Sequence, residues 1–85
     1  MRRLIIIPTY NEKENVAAMI DKVLSLDGNF NILFVDDGSP DGTADIIRDK
    51  QKAAPERINL ICRSGKLGLG TAYIAGFKWA IDAGY

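Results

Sequence analysis

The chain contains no histidine and a single cysteine, Cys62. Without histidine it lacks the usual general base near neutral pH and the commonest metal ligand. A lone cysteine excludes an internal disulfide framework and any zinc site built from several thiolates. Cys62 itself reads as a small apolar core residue in a reducing compartment. An excess of one charge is missing too. Eleven basic residues offset eleven acidic ones, so no net field draws in nucleic acid or an anionic membrane surface. No apolar run approaches the roughly 18–20 residues of a membrane span. Arg2 and Arg3 precede an apolar run, Leu4 to Ile7, but Pro8 ends it after four residues, too few for a secretory signal. Asn-x-Ser/Thr sequons, internal repeats and low-complexity stretches are absent as well. By default these absences predict a cytoplasmic chain.

What is present is ordinary for a folded domain: 85 residues, 47% hydrophobic and 26% charged. That length makes one small domain or part of one, with a radius of gyration of roughly 12 Å. Such a domain buries only about 60–65% of its unfolded surface, so its stability is marginal.

The apolar pattern alternates between two periods. Leu4 to Ile7 reads as a strand buried on both faces. Val16, Met19, Ile20, Val23 and Leu24 then share one helical face, with Asn11 and Glu14 spaced as a capping box and Asp27-Gly28-Asn29 as the stop. A second strand, Ile32 to Val35, precedes the loop Asp36 to Gly42. Thr43 or Asp41 caps a second helix, with Ile46 and Ile47 inward and Pro55 beyond its end. Ile58 to Cys62 is a third strand, and Arg63 to Gly70 a glycine-rich loop. From Thr71 a third helix carries Tyr73, Gly76, Phe77, Ala80 and Ile81 along one stripe. Ala72, Ala75 and Trp79 widen that stripe, which predicts burial over most of the helix, up to a stop at Gly84. The order β-α-β-α-β-α predicts an α/β fold with right-handed crossovers and a Rossmann-like parallel sheet. The chain also stops where a fourth strand is expected, which reads as part of a larger domain.

Ligands of open parallel sheets bind beyond the carboxyl ends of the strands. The loop after the second strand carries adjacent carboxylates, Asp36 and Asp37, whose side chains point to opposite sides. One can face a ligand, accepting from a nucleobase imide or a ribose hydroxyl, while the other is held by loop donors. Spacing leaves open which does which, and also whether Asp36, Asp37 and Asp41 serve only as turn and cap formers. The glycine-rich loop has the spacing G-x-x-G-x-G after the third strand, whereas the first βα turn has no glycine, so neither a dinucleotide fingerprint nor a P-loop is present. Lys66 reads as a phosphate contact or as a solvated charge. Tyr10 reads as a platform for a base or as a surface tyrosine, with Glu12 at the same edge.

Three segments together resemble family 2 glycosyltransferases. They are Ile5-Ile6-Ile7-Pro8-Thr9-Tyr10-Asn11-Glu12, Val35-Asp36-Asp37-Gly38-Ser39-Pro40-Asp41-Gly42-Thr43 and Gly65-Lys66-Leu67-Gly68-Leu69-Gly70-Thr71-Ala72-Tyr73. Within that family they are most similar to the dolichyl- or polyprenyl-phosphate mannosyltransferases. The resemblance implies residues 1–85 to be the N-terminal half of a GT-A nucleotide-sugar-binding domain. It implies a nucleoside pocket lined by Pro8, Tyr10, Glu12 and Val35, with Asp37 reading the base. It also implies a GDP-mannose or UDP-sugar donor, a polyprenyl phosphate acceptor and action at the cytoplasmic membrane face. A catalytic Mg²⁺ or Mn²⁺ is implied for the longer protein, but the family's Asp-x-Asp metal motif does not occur here, so this chain alone is expected to bind nucleotide at most.

Two other classes fit less well. A signalling receiver domain places its acidic pair after the first strand and an aspartate at the end of the third. Here the pair follows the second, and the third ends Leu60-Ile61-Cys62-Arg63. A non-catalytic nucleotide-binding module is the other alternative. The family's strand order would leave the first strand as an apolar edge and the third helix alone on its face, which predicts a homo-oligomer.

Overall fold

The computed structural model describes residues 3–64 and 68–85. Gly65, Lys66 and Leu67 of the glycine-rich loop lie outside them, and with them the reading of Lys66. The elements are β1 (Arg3–Thr9), α1 (Val16–Leu24), β2 (Phe30–Asp36), α2 (Thr43–Ala53), β3 (Ile58–Cys62) and α3 (Leu69–Asp82). The strands are parallel in the order β1-β2-β3, the Rossmann-like arrangement expected, and the radius of gyration is 12.1 Å.

β2 is the central strand, and Ile32 through Asp37 are all buried. On one face Ile32 and Phe34 pack with Val16 and Ile20 of α1, Ile47 of α2 and Ile58. On the other face Leu33 and Val35 pack with Ala72 of α3, joined by Leu4, Ile6, Ile61 and Trp79. This division follows from strand alternation, and right-handed crossovers put α1 and α2 on the same side.

Four local expectations change. β1 runs through Pro8 to Thr9 rather than ending at Ile7; a proline without an N–H is tolerated because β1 is an edge strand of this sheet. The Asn11–Glu14 capping box does not form. α1 starts at Val16, and Asn11 instead adopts a left-handed conformation with φ 54°. Cys62 is exposed at the end of β3, where Arg48 Nη2 donates to its sulfur at 3.2 Å. α3 is not buried over most of its girth: Ala72 and Gly76 face the sheet, while Tyr73, Ile74, Phe77 and Ile81 are exposed. Periodicity alone made that helix look enclosed because its apolar residues cover several faces.

Gly76 sets how closely α3 approaches β1. A Cβ there would lie 2.7 Å from Ile6 Cγ2, a branch fixed to the strand rather than a flexible chain end. Overpacking costs about 1–3 kcal/mol, against roughly 0.5–1 kcal/mol gained by replacing glycine within a helix. Gly76→Ala is therefore expected to destabilise by about 1 kcal/mol, read by urea unfolding. In an Ile6→Ala background the same change is expected to become neutral or stabilising.

Candidate functional site

Because the strands are parallel, their carboxyl ends share one edge, and the register sets Pro8 beside Val35, Thr9 beside Asp36 and Asp36 beside Cys62. The two aspartates there do different things. Asp36 turns toward the α1/α2 side and is consumed by the fold. Its Oδ1 accepts from the hydroxyls of Thr9 at 2.6 Å and Ser39 at 2.7 Å, and its Oδ2 from the Ser39 amide at 3.0 Å. Asp37 falls on the α3 side with Leu33 and Val35, as alternation requires. Its amide donates to the Thr9 carbonyl at 3.1 Å, and its Oδ1 accepts from Arg63 Nε at 2.7 Å. The side chains of this ion pair are 8% and 11% exposed. The Asp37 carboxylate, by accepting that hydrogen bond, holds the Arg63 guanidinium above its ordinary pKa, so Arg63 stays charged.

The first loop is fastened to the second. Three successive amides find side-chain acceptors: Asn11 donates to Ser39 Oγ at 2.9 Å, Glu12 to Thr43 Oγ1 at 3.0 Å and Lys13 to Asp41 Oδ2 at 3.1 Å. The left-handed turn at Asn11, a residue that tolerates it, lets these amides face one way. Asp41 also accepts from the Thr43 amide at 3.0 Å and the Thr43 hydroxyl at 2.5 Å, at the start of α2. That hydroxyl is the main reason the Asp41 carboxyl sits below its ordinary pKa, with the Lys13 and Thr43 amides adding to it. A lowered pKa gives stabilisation that is complete above the unfolded aspartate value and fades as pH falls through the folded one.

Thr43 thus links both loops and is fully buried. Thr43→Val keeps the shape but leaves the Glu12 amide without an acceptor and is expected to cost about 1–3 kcal/mol. Thr43→Ser keeps the hydroxyl and is expected to lose much less. Denaturant midpoints of the two variants check this.

The five residues implied by the resemblance lie along this edge. Pro8 is half-buried next to Val35, and Asp37 follows two residues later. Val35 is wholly buried in the α3-side cluster with Leu33 and Ala72. Tyr10 is exposed at the rim. Glu12 is half-buried and held through its backbone to Thr43, with Asn15 Nδ2 donating to Glu12 Oε2 at 3.4 Å. Arg63 was not singled out by its residue type or spacing. Strand register would have found it, since Asp36 pairs with Cys62 and the next residues are Asp37 and Arg63.

Among the described residues, no three or more His, Cys, Asp or Glu side chains are grouped to hold a metal ion. None of the helices among them is long and apolar enough to cross a membrane.

Known proteins with this architecture and sequence sharpen the picture. Polyprenol monophosphomannose synthase of Mycolicibacterium smegmatis is 46% identical over 84 residues, 99% of this chain and 32% of its own. Undecaprenyl-phosphate mannosyltransferase of Micrococcus luteus is 44% identical over 85 residues, 100% of this chain and 35% of its own. The chain therefore spans about a third of the length of these relatives. In structure it is similar to a mannosyltransferase from Pyrobaculum calidifontis solved in complex with GDP-Man and Mn²⁺. The TM-score is 0.83 at 24% identity, covering 93% of this chain and 24% of that one, which shows a shared fold. The profile of glycosyl transferase family 2 matches residues 4–82, nearly the whole chain, and the chain belongs to that family.

Proposed function

We propose that residues 1–85 are the N-terminal, nucleotide-binding part of a glycosyltransferase that passes mannose from GDP-mannose to a polyprenyl phosphate. The observation that carries this reading is the 46% and 44% identity, over essentially the entire chain, to two enzymes named for that chemistry. In this reading Asp37 accepts from an N–H edge of the base, Tyr10 stacks on it, and Pro8, Glu12 and Val35 shape the pocket. A carboxylate acceptor suits guanine or uracil, which present ring N–H donors, better than adenine or cytosine. UDP-sugars therefore stand as the competing donors. The lipid acceptor puts the whole protein at the cytoplasmic membrane face. A divalent cation would offset charge on the leaving diphosphate. The described residues offer no ligand set for it, and no step of this reading runs through the ion.

The full-length protein is expected to transfer mannose from GDP-mannose to a polyprenyl phosphate, and the 85-residue chain alone is not. Transfer by the isolated chain would overturn its assignment as a partial domain. A full-length protein that binds GDP-mannose and transfers nothing would make it a binding module.

The same reading extends to association of the isolated chain. β1 is an edge strand, and α3 exposes Tyr73 and Phe77, stacked with ring centroids 6.4 Å apart, beside Ile74 and Ile81. Domains this small tolerate such surfaces poorly. Light scattering at micromolar concentration is expected to show a homodimer or larger assembly. A soluble monomer with cooperative unfolding would contradict this.

A further inference from the structure

Asp37 does not reach the crevice as a bare carboxylate. Arg63 Nε holds Oδ1 at 2.7 Å, while its two remaining nitrogens go elsewhere, Nη1 to Thr71 Oγ1 at 3.1 Å and Nη2 to the Gly68 carbonyl at 3.4 Å. One guanidinium thus ties the end of β2 to the first turn of α3. Thr71 is itself fixed, since its hydroxyl donates to the Gly68 carbonyl at 2.9 Å. On the other side, the Asp37 backbone is anchored to β1 through the Thr9 carbonyl at 3.1 Å. No described residue donates to Asp37 Oδ2. A guanidinium has donors and no acceptor, so whichever atom faces Nε must be an acceptor.

We propose that Arg63 is a positioning residue for Asp37: by occupying Oδ1 it fixes Oδ2 as the oxygen offered to the nucleobase and locks that carboxylate to the start of α3. This rests on the reading of Asp37 as the base contact. The role needs the arginine fork. A lysine supplies charge from one point and cannot hold Asp37, Thr71 and the Gly68 carbonyl together.

The donor-only character of Arg63 makes the inference sharp. In an Asp37→Asn variant the amide oxygen must face Arg63, so the amide NH₂ takes the outward position and meets the N–H of the base, donor against donor. In Arg63→Gln the side-chain amide stands where Nε stood and can accept as well as donate. Combined with Asp37→Asn, it lets the asparagine turn its oxygen outward again.

The test is calorimetric titration of GDP and GDP-mannose into the full-length protein, its single variants and the double variant, with thermal melting alongside. Asp37→Asn is expected to weaken binding on the order of tenfold or more. Adding Arg63→Gln is expected to recover part of that loss, although in the wild-type background the same change weakens binding. Arg63→Lys keeps the charge and cannot accept. Alone it loses the fork and is expected to weaken binding while the protein still folds, and with Asp37→Asn it is expected to recover nothing. A double variant with Arg63→Gln that binds still more weakly, by the factor seen in the wild-type background, would overturn the positioning role while leaving the Asp37 contact standing. Recovery with Arg63→Lys would overturn it too, because recovery would then not depend on an acceptor. If Asp37→Asn alone leaves affinity unchanged, the base contact itself fails, and the role of Arg63 with it.

Discussion

Asp36→Ala is expected to cost the protein about 3–4 kcal/mol of stability, a large share of a typical total of roughly 5–15 kcal/mol. The buried Asp36 carboxylate accepts from the Thr9 hydroxyl, the Ser39 hydroxyl and the Ser39 amide. Hydrogen bonds to a charged acceptor are each worth about 1.5–3 kcal/mol, and neighbouring bonds do not add in full. Alanine removes the acceptor and leaves the donors facing one another. Asp36→Asn is the mild control. Its amide oxygen can face the Ser39 N–H while its NH₂ donates to hydroxyls that can rotate to accept. A shift in urea midpoint for alanine several times that for asparagine is the expected result. A shift for alanine no larger than that of an ordinary surface substitution would mean that the carboxylate is not what closes this turn.

Asp37→Ala is expected to act on ligand affinity instead. Losing the acceptor for a base N–H is worth about 1.5–3 kcal/mol, or roughly 10- to 150-fold in Kd. Asp36→Ala, wherever it remains folded, is expected to weaken donor binding less. Titration of GDP-mannose against both variants decides the order. Equal effects, or the larger effect at Asp36, would reverse the roles of the adjacent carboxylates. Asp37→Ala also strips Arg63 of its partner, so a melting curve must accompany the titration to separate folding from binding.

The fold was largely legible in the sequence because its signals are local. Two strands read as continuous apolar runs, two helices as 3.6-residue stripes, and their alternation dictates the parallel sheet and the sides its helices take. Legibility failed where a residue's fate depends on distant partners. Leu4–Ile7 and Ile32–Val35 have equivalent composition, yet the second is central and the first lies at an edge. Only the strand order carried by the family separates them. Asn11 and Glu14 have capping-box spacing, but the amides of residues 11, 12 and 13 are claimed by Ser39, Thr43 and Asp41, 28 to 31 residues away. The apolar residues of α3 gave no sign of which would meet the sheet. That depends on Gly76, where the absence of a side chain lets Ile6 come close.

The site was legible to a similar depth. Alternation required Asp36 and Asp37 to diverge but could not say which way either pointed. Their partners decide it, Thr9 and Ser39 for one and Arg63 for the other. Arg63 looked like the first residue of a loop because its importance comes from register across two strands, which no single segment displays.

The carboxyl edge of β1 and β2 is proposed as a nucleotide site. Following backbone amide resonances of the full-length protein during titration with GDP-mannose tests this most directly. Saturable shifts are expected at Tyr10, Glu12, Asp37 and Gly38, with Arg3, Phe30 and Ile58 at the opposite ends of the strands unmoved. Shifts at those opposite ends, or none at the four named amides at saturating GDP-mannose, would contradict the claim.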